Sequence, residues 1–222
     1  MRLVLVRHGE PDYEHDCLTE KGKKQAEIVA RRLMKEGIEE IYSSPLGRAR
    51  QTAEPFAELS GIGKVQILDF MREIRYGRED ALYKSGNPWT VAFDLVREGY
   101  DLQSSKWREY PGYEENTAVT DADKVRTGTD EWLASIGFER EGLYYRCTGE
   151  SDTERSLALF SHGGSSTAFM SQVMNIPFPK LCVLLANLQH TSVTILSFDS
   201  TPGALSMPFI ELACDVAHLE EE

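Results

Sequence analysis

The chain has 222 residues, 41% hydrophobic and 27% charged, the make-up of a soluble globular domain long enough to bury a substantial core. Its net charge of -12 argues against nucleic acid or an anionic membrane as partner. A local phosphate pocket remains compatible with that charge, because distant carboxylates are screened over about 8 Å at physiological salt. Cys17, Cys147, Cys182 and Cys214 are scattered without CxxC spacing and read as free thiols, not as a disulfide frame or zinc site. The N-terminus enters a strand directly and no apolar stretch nears the length of a membrane span, so the cytoplasm is the expected location.

Leu3-Val4-Leu5-Val6 is a run of β-formers that reads as a strand buried on both faces, as in a parallel sheet. It delivers Arg7-His8-Gly9 to its carboxyl end, where ligands bind in open α/β sheets. A polar loop from Glu10 to Asp16 follows. Thr19 then caps a helix whose Ala26, Val29, Ala30 and Leu33 form one apolar face before Gly37. Ile38 to Tyr42 is a second strand, and Ser43-Ser44-Pro45 leads into a helix from about Leu46 to Leu59, closed by Gly61. Val65 to Leu68 is a third strand, and the order βαβαβ implies a parallel sheet covered on both faces.

Regularity breaks between Met71 and Pro111, where Trp89, Phe93, Tyr100, Trp107 and Tyr110 mix with arginines and lysines. Only Trp89 to Glu98 reads as helix there, and residues 78–113 are expected to form an inserted lid. Glu114 to Ile136 reads as a long helix with Ala118, Ala122, Val125 and Leu133 inward and a weak, polar middle at Thr127 to Thr129. Leu143 to Arg146 is an extra strand. Leu157 to Phe160 then repeats the opening grammar, a buried strand ending in Ser161-His162-Gly163-Gly164, with a helix from Ser165 to Met174. Ser192 to Phe198 and Phe209 to Ala213 close the sheet as an antiparallel pair, and the Glu220 to Glu222 tail is expected to fray. His8 and His162, each ending a buried strand, are expected to face each other across one pocket. The fold class is α/β: one domain, residues 1–222, with three αβα layers around a mostly parallel sheet.

Five segments carry a resemblance: LVRHGE at 5–10, LTEKGKKQA at 18–26, SSPLGRARQTA at 43–53, REIRYG at 72–77 and SHGG at 161–164. In this order the set closely resembles the histidine phosphatase superfamily, also called phosphoglycerate-mutase-like, over residues 2 to about 198. The resemblance implies a cofactor-independent phosphoryl-transfer enzyme acting on a small phosphorylated substrate. It implies His8 as the nucleophile that becomes phosphohistidine, with its other ring nitrogen held by a backbone carbonyl. Arg7 and Arg48 would bind phosphate oxygens, a protonated His162 would be a third cation, and the amides of Gly163 and Gly164 would assist. Glu73 occupies the position of the family's proton donor, with Glu10 and Glu79 as competitors for that role. Tyr76, Arg78, Trp89 and Trp107 are candidate lid contacts to substrate. No metal is expected: Glu10, Asp12, His15 and Asp16 lack a ligand spacing and read as a solvated loop, and His15, His190 and His218 read as structural or exposed.

The chain also departs from the family. Pro11 stands where many relatives carry Ser or Thr, and no Asn appears before Asn87. Ile74 stands where mutases carry a substrate-binding arginine. Three readings follow in order: a phosphomonoesterase with water as acceptor, a phosphoglycerate mutase, and a non-catalytic binder of phosphorylated ligands. The presence of nucleophile, arginines, second histidine and acid together disfavours the last. The specific phosphomonoester and the oligomeric state are not legible in the residues.

Overall fold

The structure is a computed structural model that describes residues 1–149, 155–186 and 188–220. Strand β1 (Arg2–Arg7) alternates between two cores: Leu3 and Leu5 join one apolar cluster, Val4 and Val6 the other. A short pair, β2 (Pro11–Asp12) and β3 (Cys17–Leu18), precedes α1 (Glu20–Leu33), whose N-cap Thr19 accepts from the Gly22 amide. Next come β4 (Ile38–Ser43), α2 (Gly47–Ser60) and β5 (Val65–Ile67). Gly61, with a φ of 75°, ends α2 in the left-handed conformation that favours glycine.

The excursion holds α3 (Pro88–Arg97), after which α4 (Thr117–Ser135), β6 (Phe138–Glu141) and β7 (Tyr144–Cys147) lead to β8 (Ser156–Ser161). The chain then forms α5 (Gly163–Met174), α6 (Phe178–Leu184), β9 (Val193–Ser197), β10 (Leu205–Ser206) and β11 (Phe209–Asp215). The main sheet runs β11-β9-β1-β8-β4-β5, with β1, β8, β4 and β5 parallel and β9 and β11 antiparallel to their neighbours. β10, β7 and β6 make a separate antiparallel sheet.

Buried residues of α1 and α2, such as Val29, Leu33 and Phe56, cover the Val4/Val6 face. Val125 and Leu133 of α4, with Phe169 and Val173 of α5, cover the other. The helices that follow β1 and β4 thus lie opposite the helix that follows β8, which sits between those two strands. Such a reversal opens a crevice at the carboxyl ends of the strands. Register aligns Arg7 with Ser161, so His8 and His162 leave adjacent strands at the same level.

Several expectations need correction. Asn116 caps α4 by accepting from the Ala118 amide at 3.0 Å, so the helix starts at Thr117 rather than Glu114. It also runs unbroken through Thr127 to Thr129: Thr129 donates to the Val125 carbonyl (2.7 Å), and Gly128 lets Phe70 pack against the helix. The sequence reading missed α6, β6 and the β2–β3 pair. Fraying of Glu221 and Glu222 falls outside the described residues. No described helix is long and apolar enough to cross a membrane.

The excursion is tied to the body through Asn116. Its buried amide accepts from the Gly77 N–H (3.0 Å) and donates to the carbonyls of Gly86 and Gly112, both at 2.7 Å. Three points of the loop are thereby fixed to the first turn of α4, which sets the wall of the cleft described next.

Candidate active site

His8 follows β1 and is 1% exposed. Its Nδ1 lies 2.7 Å from its neighbour Gly9's carbonyl, which can only accept, so Nδ1 carries the proton and Nε2 keeps the lone pair. Burial pulls its pKa down to about 3, with Arg7 and Arg48 adding to the fall and the Gly9 bond opposing it. The ring is therefore a neutral nucleophile at any ordinary pH.

His162 follows β8, fully buried, with its ring centroid 5.1 Å from that of His8. Its Nε2 pairs with the Ser44 hydroxyl at 2.7 Å, and Ser44 comes from the carboxyl end of β4. Burial, then the charges around it, lower its pKa well below the usual histidine range. The neutral form is favoured without a ligand, since the two arginines near it make a further positive charge unfavourable; a third cation would need an anion beside it.

Arg7 and Arg48 face a cleft of about 700 Å³, together with Glu73 and Gly163. Arg7 donates through Nη1 to the Leu188 carbonyl. Arg48, in the first turn of α2, donates to Asp16 Oδ1, while Asp16 Oδ2 accepts from the Gly47 amide at 2.7 Å. One carboxylate thus fixes the guanidinium and caps the helix that carries it. Both histidines are buried, and neither is among the residues that line the cleft. Three buried nitrogens of this cluster, Arg7 Nε, Arg48 Nε and His162 Nδ1, have no hydrogen-bond partner among the described residues. Buried polar groups are normally paired, so a cluster of orphans marks the place of a ligand rich in acceptors.

Glu73 lines the same cleft. Its Oε1 accepts from the amides of Ile74 (2.9 Å) and Ser165 (3.0 Å), and Oε2 from the amide of Gly164 (3.3 Å). Burial raises its pKa, and these amide bonds offset part of the rise. The Gly164 amide is therefore committed to Glu73, which corrects its expected role as a phosphate donor. A Cβ at Gly164 would stand 2.3 Å from Ile74 Cγ1 and 2.6 Å from Glu73 Oε1. Gly164→Ala is expected to lower stability by about 1–3 kcal/mol through overpacking and to displace Glu73. Thermal unfolding, with turnover of an alkyl phosphate, checks both; an unchanged melting temperature would refute the contact.

The remaining candidates divide. Tyr76 and Trp89 line the cleft. Trp107 does not: it is 4% exposed and packs on Tyr113 and Phe178, ring centroids 5.3 and 6.3 Å away. Arg78 does not either, being exposed and paired with Glu115 at 2.6 Å. Glu10 bonds to Thr19 (3.0 Å) and Lys21 (2.8 Å), and Glu79 is exposed, so neither competes with Glu73 inside the cleft. Asp12 hydrogen-bonds with His15 at 2.8 Å and Asp16 pairs with Arg48, so the acidic residues of the loop face different partners. Among the described residues no group of His, Cys, Asp and Glu is arranged to hold a metal ion.

Sequence reasoning missed His190, whose half-buried ring lies 5.6 Å from that of His8, and whose pKa burial pulls down to about 4. It missed Asp16 as the partner of Arg48 and Tyr13, whose ring lies 5.4 Å from the Arg48 guanidinium. Asp16 precedes Arg48 by 32 residues, with α1 and β4 between them, so no local pattern announces the pair.

The chain is 26% identical to a probable phosphoglycerate mutase of Serratia proteamaculans (strain 568), over 99% of this chain and 95% of that protein. Its identity to a like-named protein of Yersinia enterocolitica (serotype O:8 / biotype 1B, strain NCTC 13174 / 8081) is 27%, with the same coverage. Among solved structures it resembles a mycobacterial glucosyl-3-phosphoglycerate phosphatase complexed with inorganic phosphate, with a TM-score of 0.65, 25% identity and 98% of each chain covered. An Entamoeba histolytica phosphoserine phosphatase in complex with 3-phosphoglyceric acid shares the fold at a TM-score of 0.65, with 21% identity and 98% of each chain covered. The family model of the histidine phosphatase superfamily (branch 1) matches residues 3–207, which include both strand-end histidines and both arginines; the chain belongs to that superfamily.

Proposed function

We propose that the protein is a phosphomonoesterase that hydrolyses a small phosphorylated metabolite through a phosphohistidine on His8. The observation that carries this reading is the convergence of the unpaired Arg7, Arg48 and His162 donors on a neutral histidine whose free nitrogen is set by the Gly9 carbonyl. A phosphate in that cluster supplies the missing acceptors. His8 Nε2 attacks phosphorus, the ester P–O bond breaks, and Glu73 gives its proton to the leaving oxygen. Glu73, now ionised, takes a proton from water; the hydroxide attacks phosphorus, breaks the N–P bond and releases phosphate.

The incoming dianion favours protonation of His162, so the third cation forms with the ligand rather than before it. With Arg7 and Arg48 it balances the phosphate charge, and the reaction as proposed uses neither metal nor cofactor. The named ligands of the structural neighbours, inorganic phosphate and 3-phosphoglyceric acid, are of the expected class. A soluble metabolite as substrate suits a cytoplasmic enzyme.

The names of the sequence relatives favour a second reading, phosphoryl return to phosphoglycerate. Ile74 opposes it. It stands where a mutase carries a substrate-binding arginine, and it is 2% exposed, packed among apolar residues. A mutase must also shield its phosphohistidine from water. Measuring phosphate release and 3- to 2-phosphoglycerate conversion on one chelator-treated preparation decides between them. Release is expected to dominate, to survive chelation and to be inhibited by vanadate. Conversion at about 10 per second or faster, with little phosphate released, would make it a mutase.

A further inference from the structure

Beyond the phosphate end, the described residues of the cleft include no further cation. Arg7 and Arg48 are the only cations among its described lining residues, and Glu73 is the only carboxylate. Two of the cations that sequence places near this segment are held by carboxylates outside the cleft: Arg75 by Asp121 at 2.8 and 3.1 Å, and Arg78 by Glu115. What remains is uncharged and mainly aromatic or aliphatic, namely Tyr13, Tyr76, Tyr83 and Trp89 with Leu46, Ile74, Ala186 and Leu188, the Asn87 amide and the tyrosine hydroxyls being its polar groups.

Those aromatics are held in place. Tyr76 and Tyr83 meet edge to face, with centroids 5.0 Å apart at 86°. Tyr83 adopts a φ of +62°, a conformation costly for a bulky residue, and its amide bonds back to the Tyr76 carbonyl at 2.9 Å. The Asn116 clasp fixes the same loop at Gly77 and Gly86. Across the cleft, the Trp89 ring approaches to 3.8 Å from where a Gly163 Cβ would sit, and Arg7 Nε to 3.9 Å. The indole and the Arg7 guanidinium therefore both border the space over Gly163.

Volume points the same way. About 700 Å³ lies in the range of pockets that enclose drug-sized molecules. A phosphorylated three-carbon acid would leave most of it unfilled and would bring its carboxylate against tyrosine, tryptophan and leucine, with no cation to pair it. Placing an unpaired charge against apolar surface is strongly unfavourable.

We infer that the alcohol portion of the substrate is uncharged and bears an aromatic or apolar ring, and that carboxylated phosphates are poor substrates. This inference rests on the phosphomonoesterase reading above. It departs from the substrates in the names of the similar proteins, each of which contains a carboxylate: phosphoglycerate, phosphoserine and glucosyl-3-phosphoglycerate.

The test compares kcat/KM for phenylethyl phosphate with that for 3-phosphoglycerate and phosphoserine, all esters of alkyl alcohols, so the leaving groups are similar. A preference of about 100-fold for the phenylethyl ester is expected. Trp89→Ala and Tyr83→Ala should each shrink that ratio about tenfold, mainly through KM. Leu46→Arg, which adds a cation to the cleft wall without touching the buried core, should shrink it by raising kcat/KM for the carboxylated esters. Equal or better turnover of the carboxylated substrates would overturn the inference while leaving the hydrolase reading standing. So would a ratio that none of the three substitutions moves. No phosphate release from any ester, with no phosphoenzyme formed, would instead remove the hydrolase reading and this inference with it.

Discussion

His8→Ala is expected to abolish formation of a phosphoenzyme and to lower turnover by at least about 10⁴-fold, since no other described group combines its features. Its ring is neutral at working pH, its Nδ1–H is committed to the Gly9 carbonyl, and both arginines act on it. The same geometry fixes the site of the adduct. With Nδ1 occupied, only Nε2 can attack, so the trapped species should be phosphorylated at Nε2, labile in acid and stable in alkali. Rapid quenching during turnover of an aryl phosphate, followed by peptide mapping and phosphorus NMR, reads the residue and the nitrogen. An alkali-labile ester, an Nδ1 adduct, or phosphate on His162 or His190 would show that the nucleophile is misassigned. His162 is the serious rival by position, 5.1 Å away on the next strand, but its Nε2 is engaged by Ser44 and burial is more complete around it.

The residues that were legible in the sequence share one property: the local backbone places them. Arg7 and His8 end a strand whose run of buried apolar side chains marks it, His162 ends another, and Arg48 sits in the first turn of a helix announced by Ser-Pro and closed by glycine. Adjacent register of β1 and β8 does the rest. What stayed hidden depends on how loops return. His190 reaches His8 from the chain between α6 and β9, and Asp16 reaches Arg48 across a turn with positive φ at Asp16 itself. No periodicity encodes either approach.

Residues 78–113 show the same limit from the other side. Trp89, on α3, and Trp107, in the irregular chain beyond it between Lys106 and Arg108, are both aromatics of this excursion, yet one lines the cleft and the other fills the core against Tyr113. Amphipathic periodicity tells buried from exposed on a regular element, but it does not say which way an irregular loop turns its side chains. The Thr127 to Thr129 run misled for a related reason. Polarity read as helix-weakening, whereas Thr129 pairs with its own helix carbonyl and Gly128 admits Phe70.

Glu73→Gln should cost about 10²–10⁴-fold in kcat on an alkyl phosphate, because an alkoxide leaves poorly unless protonated as the ester bond breaks. The carboxyl is suited to that task by its surroundings: burial lifts its pKa, and a bound phosphate dianion lifts it further by repulsion. The sign of the pH dependence follows. Only the protonated form donates, so kcat on the alkyl ester should fall as pH rises through the lifted pKa, and the glutamine variant should lose that alkaline limb. Phosphoenzyme formation from an aryl phosphate should suffer far less, since a phenolate leaves without help, although hydrolysis of the adduct still needs the carboxylate as base. The variant should therefore accumulate phospho-His8 on the aryl ester and turn over slowly. The amide replaces the carboxyl almost isosterically, and its one oxygen can still accept from the amides of Ile74 and Ser165; only the longer bond from the Gly164 amide is lost, so the fold around α5 should survive. Burst kinetics on the two esters separate the steps. Equal losses in phosphoenzyme formation with both leaving groups would deny Glu73 the acid role. Glu10 would then be the next group to test, since it interacts electrostatically with His190, which packs against His8.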